Sequence, residues 1–323
     1  MKAMVYHTYG SPDVLHLEEV PKPTPQANEV LLKIHTASLN AYDWHLLRAD
    51  PFLARLERGL FRPKITILGA DVAGQVEAVG SNVTQFQPGD EVFGDLSLHG
   101  DGGFAEYVAV PETSFVSKPA NMTFAEAASI PMAAVTALQG LRDVGKIRAG
   151  QKVLINGASG GVGTFAVQIA KTFDAEVTAV CSTRKMEMTR ALGADHIIDY
   201  TQEDFTQGKE RYDLILAVNG FYSLAAYKRV LNANGIYAMV GGTNAQIFQA
   251  LFLSALMSMT GDKKMGTVMA KPNQKDLTFI TELFESGKVK PVIDRHYPLA
   301  ELPDAIRYLE EGHAKGKVLI DIA

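Results

Sequence analysis

The spacing of hydrophobic and polar residues changes about a third of the way along the chain. Before residue 123, short stretches alternate apolar and polar positions between turn residues, as in "EVLLKIHTASL", "DVAGQVEAVG" and "QPGDEVFG". Such alternation predicts strands that bury one face and expose the other. We therefore predict an antiparallel β-barrel domain over residues 1–122.

After residue 123 the pattern predicts helices that alternate with strands. An alanine-rich helical stretch, "TFAEAASIPMAAVTALQGL", comes first. The strands that follow are "KVLIN", "AEVTAVCS", "HIIDY", "YDLILAV" and "GIYAMVG", and the helices between them are "TFAVQIAKTF", "KMEMTRALG" and "FYSLAAYKRVL". Repeated β-α-β units imply a doubly wound parallel sheet with helices on both faces, here over residues 123–270.

The last part of the chain, residues 271–323, has two more helical patterns and two more strand patterns. The helices are "QKDLTFITELFESG" and "LPDAIRYLEEG", and the strands are "VIDRHYPL" and "KVLIDIA". We predict that this segment returns to complete the first domain. The expected fold class is therefore α/β, with an antiparallel β-barrel domain beside a parallel-sheet domain.

Net charge indicates the class of partner, and cysteine content indicates the cellular compartment. The net charge of −5 gives no reason to expect nucleic acid or an anionic membrane surface, so we expect a small-molecule substrate. The single cysteine, Cys181, fits a reducing compartment, and the N-terminus lacks the apolar region of a signal peptide, so we expect a cytoplasmic protein. The longest apolar stretch, residues 247–259, is shorter than the ~20 residues that cross a bilayer. It could line a pocket, cover a sheet edge or pack a dimer, and the remaining alternative is a peripheral membrane contact.

A glycine-rich turn, "INGASGGVG", follows the first strand of the predicted parallel sheet. In a dinucleotide-binding turn, one glycine permits a tight bend, a second lets the backbone approach the pyrophosphate and a third allows close packing of helix on strand. Gly160 and Gly163 hold the last two places, and Ala158 replaces the first. Backbone N–H groups at the start of the next helix would meet the phosphates. The predicted cofactor-binding residues of this turn are Ser159, Gly160, Gly161, Val162 and Gly163.

The end of the second strand indicates which dinucleotide binds. An NAD-preferring site places Asp or Glu there to hold the ribose 2′-hydroxyl, but this chain has "CSTRK" at 181–185. A guanidinium can pair with a phosphate through two parallel N–H bonds, so Ser182 and Arg184 favour the 2′-phosphate of NADP. The alternative is a solvated helix start.

Several motifs spread along the chain carry a resemblance to a known family. They are "PGDEVFG", "GGFAEYVAVPE", "GASGGVGTFAVQIAK", "LGADHIIDY" and "GHAKGKVLIDI". With them the chain resembles the zinc-free, NADPH-dependent quinone oxidoreductase and enone reductase branch of the medium-chain dehydrogenase/reductase superfamily. The resemblance implies a GroES-like β-barrel catalytic domain and a Rossmann cofactor-binding domain. It also implies a soluble enzyme that is a homodimer or a monomer, and the sequence does not decide between them.

The resemblance also implies roles for individual residues. Asn40 and Asp43, in "SLNAYDWHL", match the Asn and Asp that face the nicotinamide and the substrate, although Asn40 could instead be a turn residue. The remaining matches are cofactor contacts, although Tyr200 could instead be a sheet-edge aromatic. They are Thr136 near the nicotinamide ribose, Tyr200 beside the 2′-phosphate, Gly242 at the nicotinamide end of the sheet, and Lys317.

No zinc is expected, because the motifs of zinc-dependent relatives are absent. Asn40 to His45 contains no Cys, "GADVAG" at 69–74 stands where those relatives have Gly-His-Glu, and the histidines show no ligand spacing. The expected reaction is hydride transfer from NADPH to a quinone or to an α,β-unsaturated carbonyl compound. Tyr42, His45 and a water all remain candidates for the proton donor. The alternatives are an NADP-dependent alcohol or aldehyde dehydrogenase and a non-catalytic NADPH-binding protein.

Overall fold

A computed structural model describes residues 1–52, 54–241 and 262–322. The chain divides into two compact units. Unit 1 comprises Met1–Met132, Pro272–Glu285 and Pro291–Ala323, and unit 2 comprises Ala133–Lys271 and Ser286–Lys290. Gly242 and residues 247–259 lie outside the described residues.

The described strands and α-helices are numbered here in chain order. The strands are β1 Lys2–Val5, β2 His16–Glu19, β3 Glu29–Leu39, β4 Asp71–Val79, β5 Glu91–Asp95, β6 Tyr107–Pro111, β7 Phe115–Ser117, β8 Lys152–Asn156, β9 Glu176–Cys181, β10 His196–Asp199, β11 Tyr212–Ala217, β12 Leu231–Met239, β13 Lys264–Thr267, β14 Ile293–Pro298 and β15 Lys317–Asp321. The α-helices are α1 Ala41–Arg48, α2 Ala54–Arg58, α3 Phe124–Ser129, α4 Pro131–Gln139, α5 Gly161–Thr172, α6 Met186–Ala191, α7 Leu224–Arg229, α8 Gln274–Glu285 and α9 Leu302–Glu310.

Unit 1 is built on a seven-stranded sheet in the order β14-β15-β3-β4-β5-β7, with β6 also paired to β3. Neighbouring strands run antiparallel except β14 and β15, which are parallel. The predicted antiparallel domain is therefore confirmed. In the tail, β15 pairs with β3, and Val318 lies opposite Leu39. The domain boundaries stay a prediction. The central strand β3 is buried along most of its length, since α3 packs against both β3 and β4.

Unit 2 contains a six-stranded parallel sheet in the order β10-β9-β8-β11-β12-β13. This is the strand order of a doubly wound nucleotide-binding fold, as predicted. The three central strands are buried along almost their whole length, because helices cover both faces of such a sheet. Leu154 of β8, Ile215 of β11 and Tyr237 of β12 belong to one hydrophobic core.

Some elements differ from the predicted pattern. The alanine-rich stretch forms two helices, α3 and α4, because Pro131 cannot continue a helix but can begin one. Strand β12 begins at Leu231, before the predicted "GIYAMVG", and its pairing with β11 shifts register between Tyr212 and Leu214. Helices α1 and α2 were not predicted. Among the described residues, no helix is long and apolar enough to cross a membrane.

Candidate functional site

The glycine turn of unit 2 joins the end of β8 to the start of α5. A Cβ added to Gly163 would lie 2.1 Å from the Gly157 carbonyl oxygen, so packing of α5 against the turn requires glycine there. A Cβ added to Gly160 would meet nothing closer than 3.8 Å, again the Gly157 carbonyl oxygen. Protein packing therefore leaves open space at Gly160, where a dinucleotide site needs the backbone to be approachable.

The start of α5 has the polarity that an anionic group requires. Its N-cap is Gly160, and no side chain caps the helix. The first N–H groups of an α-helix have no partner within the helix, and the helix dipole makes this end positive. The first turn contains no acidic residue. Together with the space at Gly160, these features fit a pyrophosphate held by the backbone N–H groups of residues 161–163.

Arg184 follows the end of β9, the strand that pairs with β8. It brings a positive charge to the edge of the sheet where the glycine turn lies. Arg184 is exposed, and within the described residues its guanidinium has neither an ion pair nor a hydrogen bond. The nearby carboxylate of Asp199 accepts hydrogen bonds from the hydroxyls of Thr183 and Thr201 instead. The hydrogen bond from Thr183 lowers the pKa of Asp199 below its ordinary value.

Tyr200 follows the last residue of β10 and lies beside the end of β9. Its backbone N–H donates to the Cys181 carbonyl at 3.2 Å, and its side chain is 56% exposed. Ser182, the next residue after Cys181, is partly buried. The structure therefore brings Ser182, Arg184 and Tyr200 to one end of neighbouring parallel strands.

Asn156 supports the glycine turn from the end of β8. Asn156, the last residue of β8, donates from Nδ2 to the Tyr227 hydroxyl at 2.7 Å and to the Asn219 carbonyl at 3.1 Å, which fixes the base of the turn. The sequence pattern gave no reason to select it. Thr136 is buried on α4, and its role at the nicotinamide ribose stays a prediction. Gly242 lies outside the described residues, so its role also stays a prediction.

Unit 1 contains a buried ion pair that involves Asn40. The Lys317 ammonium donates to Asn40 Oδ1 at 2.6 Å and to Asp71 Oδ2 at 3.3 Å. Asn40 Nδ2 donates to the same Asp71 oxygen at 2.9 Å, and the Met132 backbone N–H donates to Asp71 Oδ1 at 2.9 Å. Lys317 is 2% exposed and Asp71 is fully buried. Because the ammonium already has two partners in unit 1, a contact of Lys317 with the cofactor stays a prediction.

Asp43 lies one helical turn from Asn40 and is also buried. Its Oδ2 accepts the Asn40 backbone N–H at 2.8 Å, which closes the start of α1. Its Oδ1 has no hydrogen-bond partner among the described residues. Burial raises the pKa of Asp43 well above its ordinary value, which favours the neutral acid.

Other buried carboxyls adjoin this network. Burial also raises the pKa of Asp71, an effect that the Lys317 ammonium opposes. Burial, with the nearby Asp71 charge, raises the pKa of Asp95 to about 7. Ser97 opposes this by donating its backbone N–H to Asp95 Oδ1 at 2.8 Å. The described part of unit 1 thus holds several acids whose charged forms are disfavoured.

Tyr42, on α1, belongs to a separate hydrogen-bonded group. Its hydroxyl donates to Asp101 Oδ1 at 3.1 Å and accepts a hydrogen bond from Arg58 Nη2. Arg58 Nη1 donates to Asp101 Oδ2 at 2.8 Å. Burial raises the pKa of Tyr42, so the phenol stays protonated. Tyr42 was predicted from the sequence as a candidate proton donor, whereas Arg58 and Asp101 were not predicted.

Two histidines of unit 1, His35 and His45, make side-chain contacts within the protein. His45 Nδ1 donates to the Asp50 carbonyl at 2.6 Å, and its ring stacks on Trp44. This contact occupies Nδ1, so only Nε2 could serve a substrate, and the role of His45 as proton donor stays a prediction. His35 stacks on Phe124. In the described ranges, no three His, Cys, Asp or Glu side chains are grouped as metal ligands.

Two protein families match parts of the chain. The family described as "Alcohol dehydrogenase GroES-like domain" matches residues 26–120, and the family described as "Zinc-binding dehydrogenase" matches residues 192–320. The first match covers most of the antiparallel sheet of unit 1. The second spans the later strands of the parallel sheet and the tail.

Full-length relatives extend these matches over the whole chain. It is 35% identical to the chloroplast envelope quinone oxidoreductase homolog of Arabidopsis thaliana, over 99% of this chain and 98% of that protein. It is 36% identical to the chloroplastic NADPH-dependent alkenal/one oxidoreductase of Arabidopsis thaliana, over 99% of this chain and 79% of that protein. The solved structure of the quinone oxidoreductase from Coxiella burnetii superposes with a TM-score of 0.89, at 29% identity, over 100% of this chain and 99% of that chain.

Proposed function

Because the chain belongs to the zinc-free quinone and enone oxidoreductase branch of the medium-chain dehydrogenase/reductase superfamily, we propose that it reduces quinones or α,β-unsaturated carbonyl compounds with NADPH. Its relatives support both acceptor classes, since one is named a quinone oxidoreductase homolog and another an alkenal/one oxidoreductase. The chain is therefore an oxidoreductase, and its substrate is a small molecule.

The unpaired guanidinium of Arg184 is the observation that carries the choice of NADPH. Since Asp199 is held by threonine hydroxyls, the positive charge at the end of β9 is free to bind the 2′-phosphate. The backbone of residues 160–163 would hold the pyrophosphate, and Ser182 and Tyr200 would flank the 2′-phosphate. When bound, NADPH supplies the hydride. We keep Ser159, Thr136, Gly242 and Lys317 as further proposed cofactor contacts.

The donor set around Asn40 does not fit a catalytic zinc. Zinc sites of this kind use three protein ligands, usually Cys, His or Glu. Here Asn40 Oδ1 and Asp71 Oδ2 both accept hydrogen bonds from the Lys317 ammonium. A protein cation thus already contacts both oxygens, and no Cys or His belongs to the set. The chain's own polar groups must therefore stabilise charge on the acceptor, and we propose Asn40, Tyr42 and Asp43 as the catalytic residues.

We also propose an organisation and an assembly for the protein. Residues 1–122 and 271–323 would form the catalytic domain, and residues 123–270 would bind the cofactor. The net charge of −5 supports the absence of a nucleic-acid partner, and the single cysteine, Cys181, supports the cytoplasmic location that we propose. A homodimer is the assembly that we propose to test, by light scattering of the purified protein.

An NADPH-oxidation screen of the purified protein tests the function. Simple quinones, enones, enals and saturated aldehydes are offered in turn, with NADH run in parallel. We expect consumption of NADPH with quinones or with enones and enals, and slower consumption of NADH. No turnover across both acceptor classes would overturn the proposal. Oxidation of alcohols by NADP⁺ would instead indicate a dehydrogenase, and NADPH binding without hydride transfer would indicate a binding protein.

A further inference from the structure

Three side chains of unit 1 close a ring of hydrogen bonds around one buried carboxylate. Arg58 and Tyr42 each donate to a different oxygen of Asp101, and Arg58 also donates to the Tyr42 hydroxyl. The side chain of Asp101 is completely buried, whereas that of Arg58 is 18% exposed. Asp101 therefore fixes a guanidinium and a phenol side by side, and the cation keeps access to solvent.

Arg58 has hydrogen-bonding capacity that the protein leaves unused. A guanidinium carries five N–H donors. Within the described residues, Arg58 uses one on Asp101 and one on Tyr42. Burial lowers the pKa of Arg58, but Asp101 and Tyr42 more than offset this and raise it overall, so the group stays charged. A fixed, permanently charged fork with spare donors suits recognition of an oxygen that carries negative charge.

The residues flanking this ring in the chain are unusually apolar for exposed positions. Ten large hydrophobic side chains are exposed among the described residues, and half of them lie in the segments that carry Arg58 and Asp101. These five are Phe52, Leu56, Leu60, Phe61 and Leu98. Single exposed hydrophobic residues need no explanation, but a concentration of them marks an interaction site. A ligand with an apolar body and one anionic or carbonyl oxygen matches both features.

We infer that Arg58 and Tyr42 form a donor pair that binds the carbonyl oxygen of the acceptor, with Asp101 as the residue that positions them. Arg58 uses its spare N–H groups, and the Tyr42 hydroxyl turns its one proton from Asp101 to the acceptor oxygen. This inference rests on the proposed function. In an enone, the hydride adds to the β-carbon, the electrons of the C=C bond move toward oxygen, and the oxygen becomes an enolate. Donors fixed in advance at that oxygen stabilise the charge as it develops. A proton from solvent then forms the C–H bond at the α-carbon.

Reduction of a quinone also requires one hydride and one proton. Hydride delivery gives a hydroquinone monoanion, whose charged oxygen the donor pair holds, and a proton from solvent completes the hydroquinone. The guanidinium thus supplies the positive charge that a metal supplies in other dehydrogenases. The exposed apolar side chains named above would contact the ring or chain attached to the carbonyl.

Substitution of Arg58 tests the inference against a purely structural role. We expect Arg58→Met to lower kcat for an enone by roughly 100- to 1,000-fold, the usual cost of losing one such donor. The KM for NADPH should stay unchanged. Arg58→Lys keeps a positive charge beside Asp101 but loses the planar, forked arrangement of N–H donors. We therefore expect a folded protein whose loss of kcat is smaller than that of Arg58→Met. Arg62→Met, at an exposed arginine outside the ring, is the matched control and should keep wild-type kcat.

A binding measurement provides a readout that does not require turnover. 4-Nitrophenol is a small aromatic oxyanion whose absorbance reports its ionisation. In protein saturated with NADP⁺, the donor pair should favour the bound phenolate and lower the apparent pKa of the probe. Arg58→Met and Tyr42→Phe should both remove this shift, and Arg62→Met should retain it.

The outcomes separate this inference from the proposed function. A wild-type protein that reduces no acceptor overturns the proposed function and this inference with it. An active wild type whose Arg58→Met, Arg58→Lys and Tyr42→Phe variants keep kcat within about twofold, with an unchanged probe absorbance, overturns the inference alone. If Arg58→Met does not fold, the Arg58→Lys and Tyr42→Phe results decide the question.

Discussion

The ammonium of Lys317 contacts Asn40 Oδ1 at 2.6 Å, although 277 positions separate the two residues in the sequence. Antiparallel pairing of β15 with β3 produces this contact, since Val318 lies opposite Leu39. The C-terminal strand thus delivers a cation to the start of α1 and to the buried carboxylate of Asp71. Its position links the stability of unit 1 to the residues proposed for catalysis.

Removal of that cation should destabilise the protein strongly. We expect Lys317→Met to lower the free energy of unfolding by about 3–5 kcal/mol, because Asp71 would remain buried without its partner. The double variant Lys317→Met/Asp71→Asn should recover at least half of this loss, since an amide carries no charge. Urea unfolding at pH 7 measures both, with the exposed Lys315→Met as control. Equal losses in the single and double variants would show that the charge pair is not the cause.

Arg184 should set the preference between NADPH and NADH. We expect Arg184→Ala to raise the KM for NADPH by roughly 10- to 100-fold, which corresponds to the loss of one or two hydrogen bonds to a charged group. The KM for NADH should change little, because NADH has no 2′-phosphate. Initial rates with each cofactor measure the effect. Arg190→Ala, at another exposed arginine, serves as control, and an equal loss with both cofactors would contradict the prediction.

Local and periodic features made most of the fold predictable. The central strands β8, β9 and β11 are buried along almost their whole length, so they appear in the sequence as mainly apolar runs. The glycine turn is recognisable because its requirements are local, such as the clash that any side chain at Gly163 would produce. Helix α1 was missed because its eight residues mix apolar and charged positions and it is closed mainly by the contact of Asp43 with Asn40.

The polar networks of unit 1 were less predictable, because their members are far apart in sequence. Arg58 and Asp101 are separated by 43 positions, and neither belongs to a periodic pattern. The need of Asp71 for a polar partner was recognisable from the sequence. It is a charged residue at the start of the apolar strand "DVAGQV", and a buried charge must have a partner. Which partner it finds depends on the pairing of β15 with β3, which the sequence alone does not specify.

The two glycines of the turn should respond differently to the same substitution. Gly163→Ala places a Cβ 2.1 Å from the Gly157 carbonyl oxygen, so we expect a loss of about 3 kcal/mol of stability or more. Gly160→Ala meets nothing closer than 3.8 Å and has an extended backbone with φ of −87°, so it should cost at most about 1 kcal/mol. Its NADPH affinity should nevertheless fall, because the methyl group would occupy the space left for the pyrophosphate. Thermal unfolding with and without NADPH measures both effects. A Gly160→Ala protein with wild-type NADPH affinity would contradict the proposed position of the pyrophosphate.

Asp95 should make stability fall as the pH rises from about 4 to 7. Burial raises the pKa of its carboxyl from the ordinary 3.8 to about 7 in the folded protein. Between these values the folded state binds more protons than the unfolded state, so the free energy of unfolding decreases with pH and becomes level above pH 7. Asp95→Asn should therefore stabilise the protein at pH 8, by at most about 4 kcal/mol, and should change the stability little at pH 4.

The Ser97 N–H can still donate to the amide oxygen of Asp95→Asn, so the local turn is preserved. Urea unfolding across this pH range, with the exposed Glu203→Gln as control, measures the difference. An Asp95→Asn protein that is destabilised equally at pH 4 and pH 8 would show that the carboxyl contributes by packing and not through its charge.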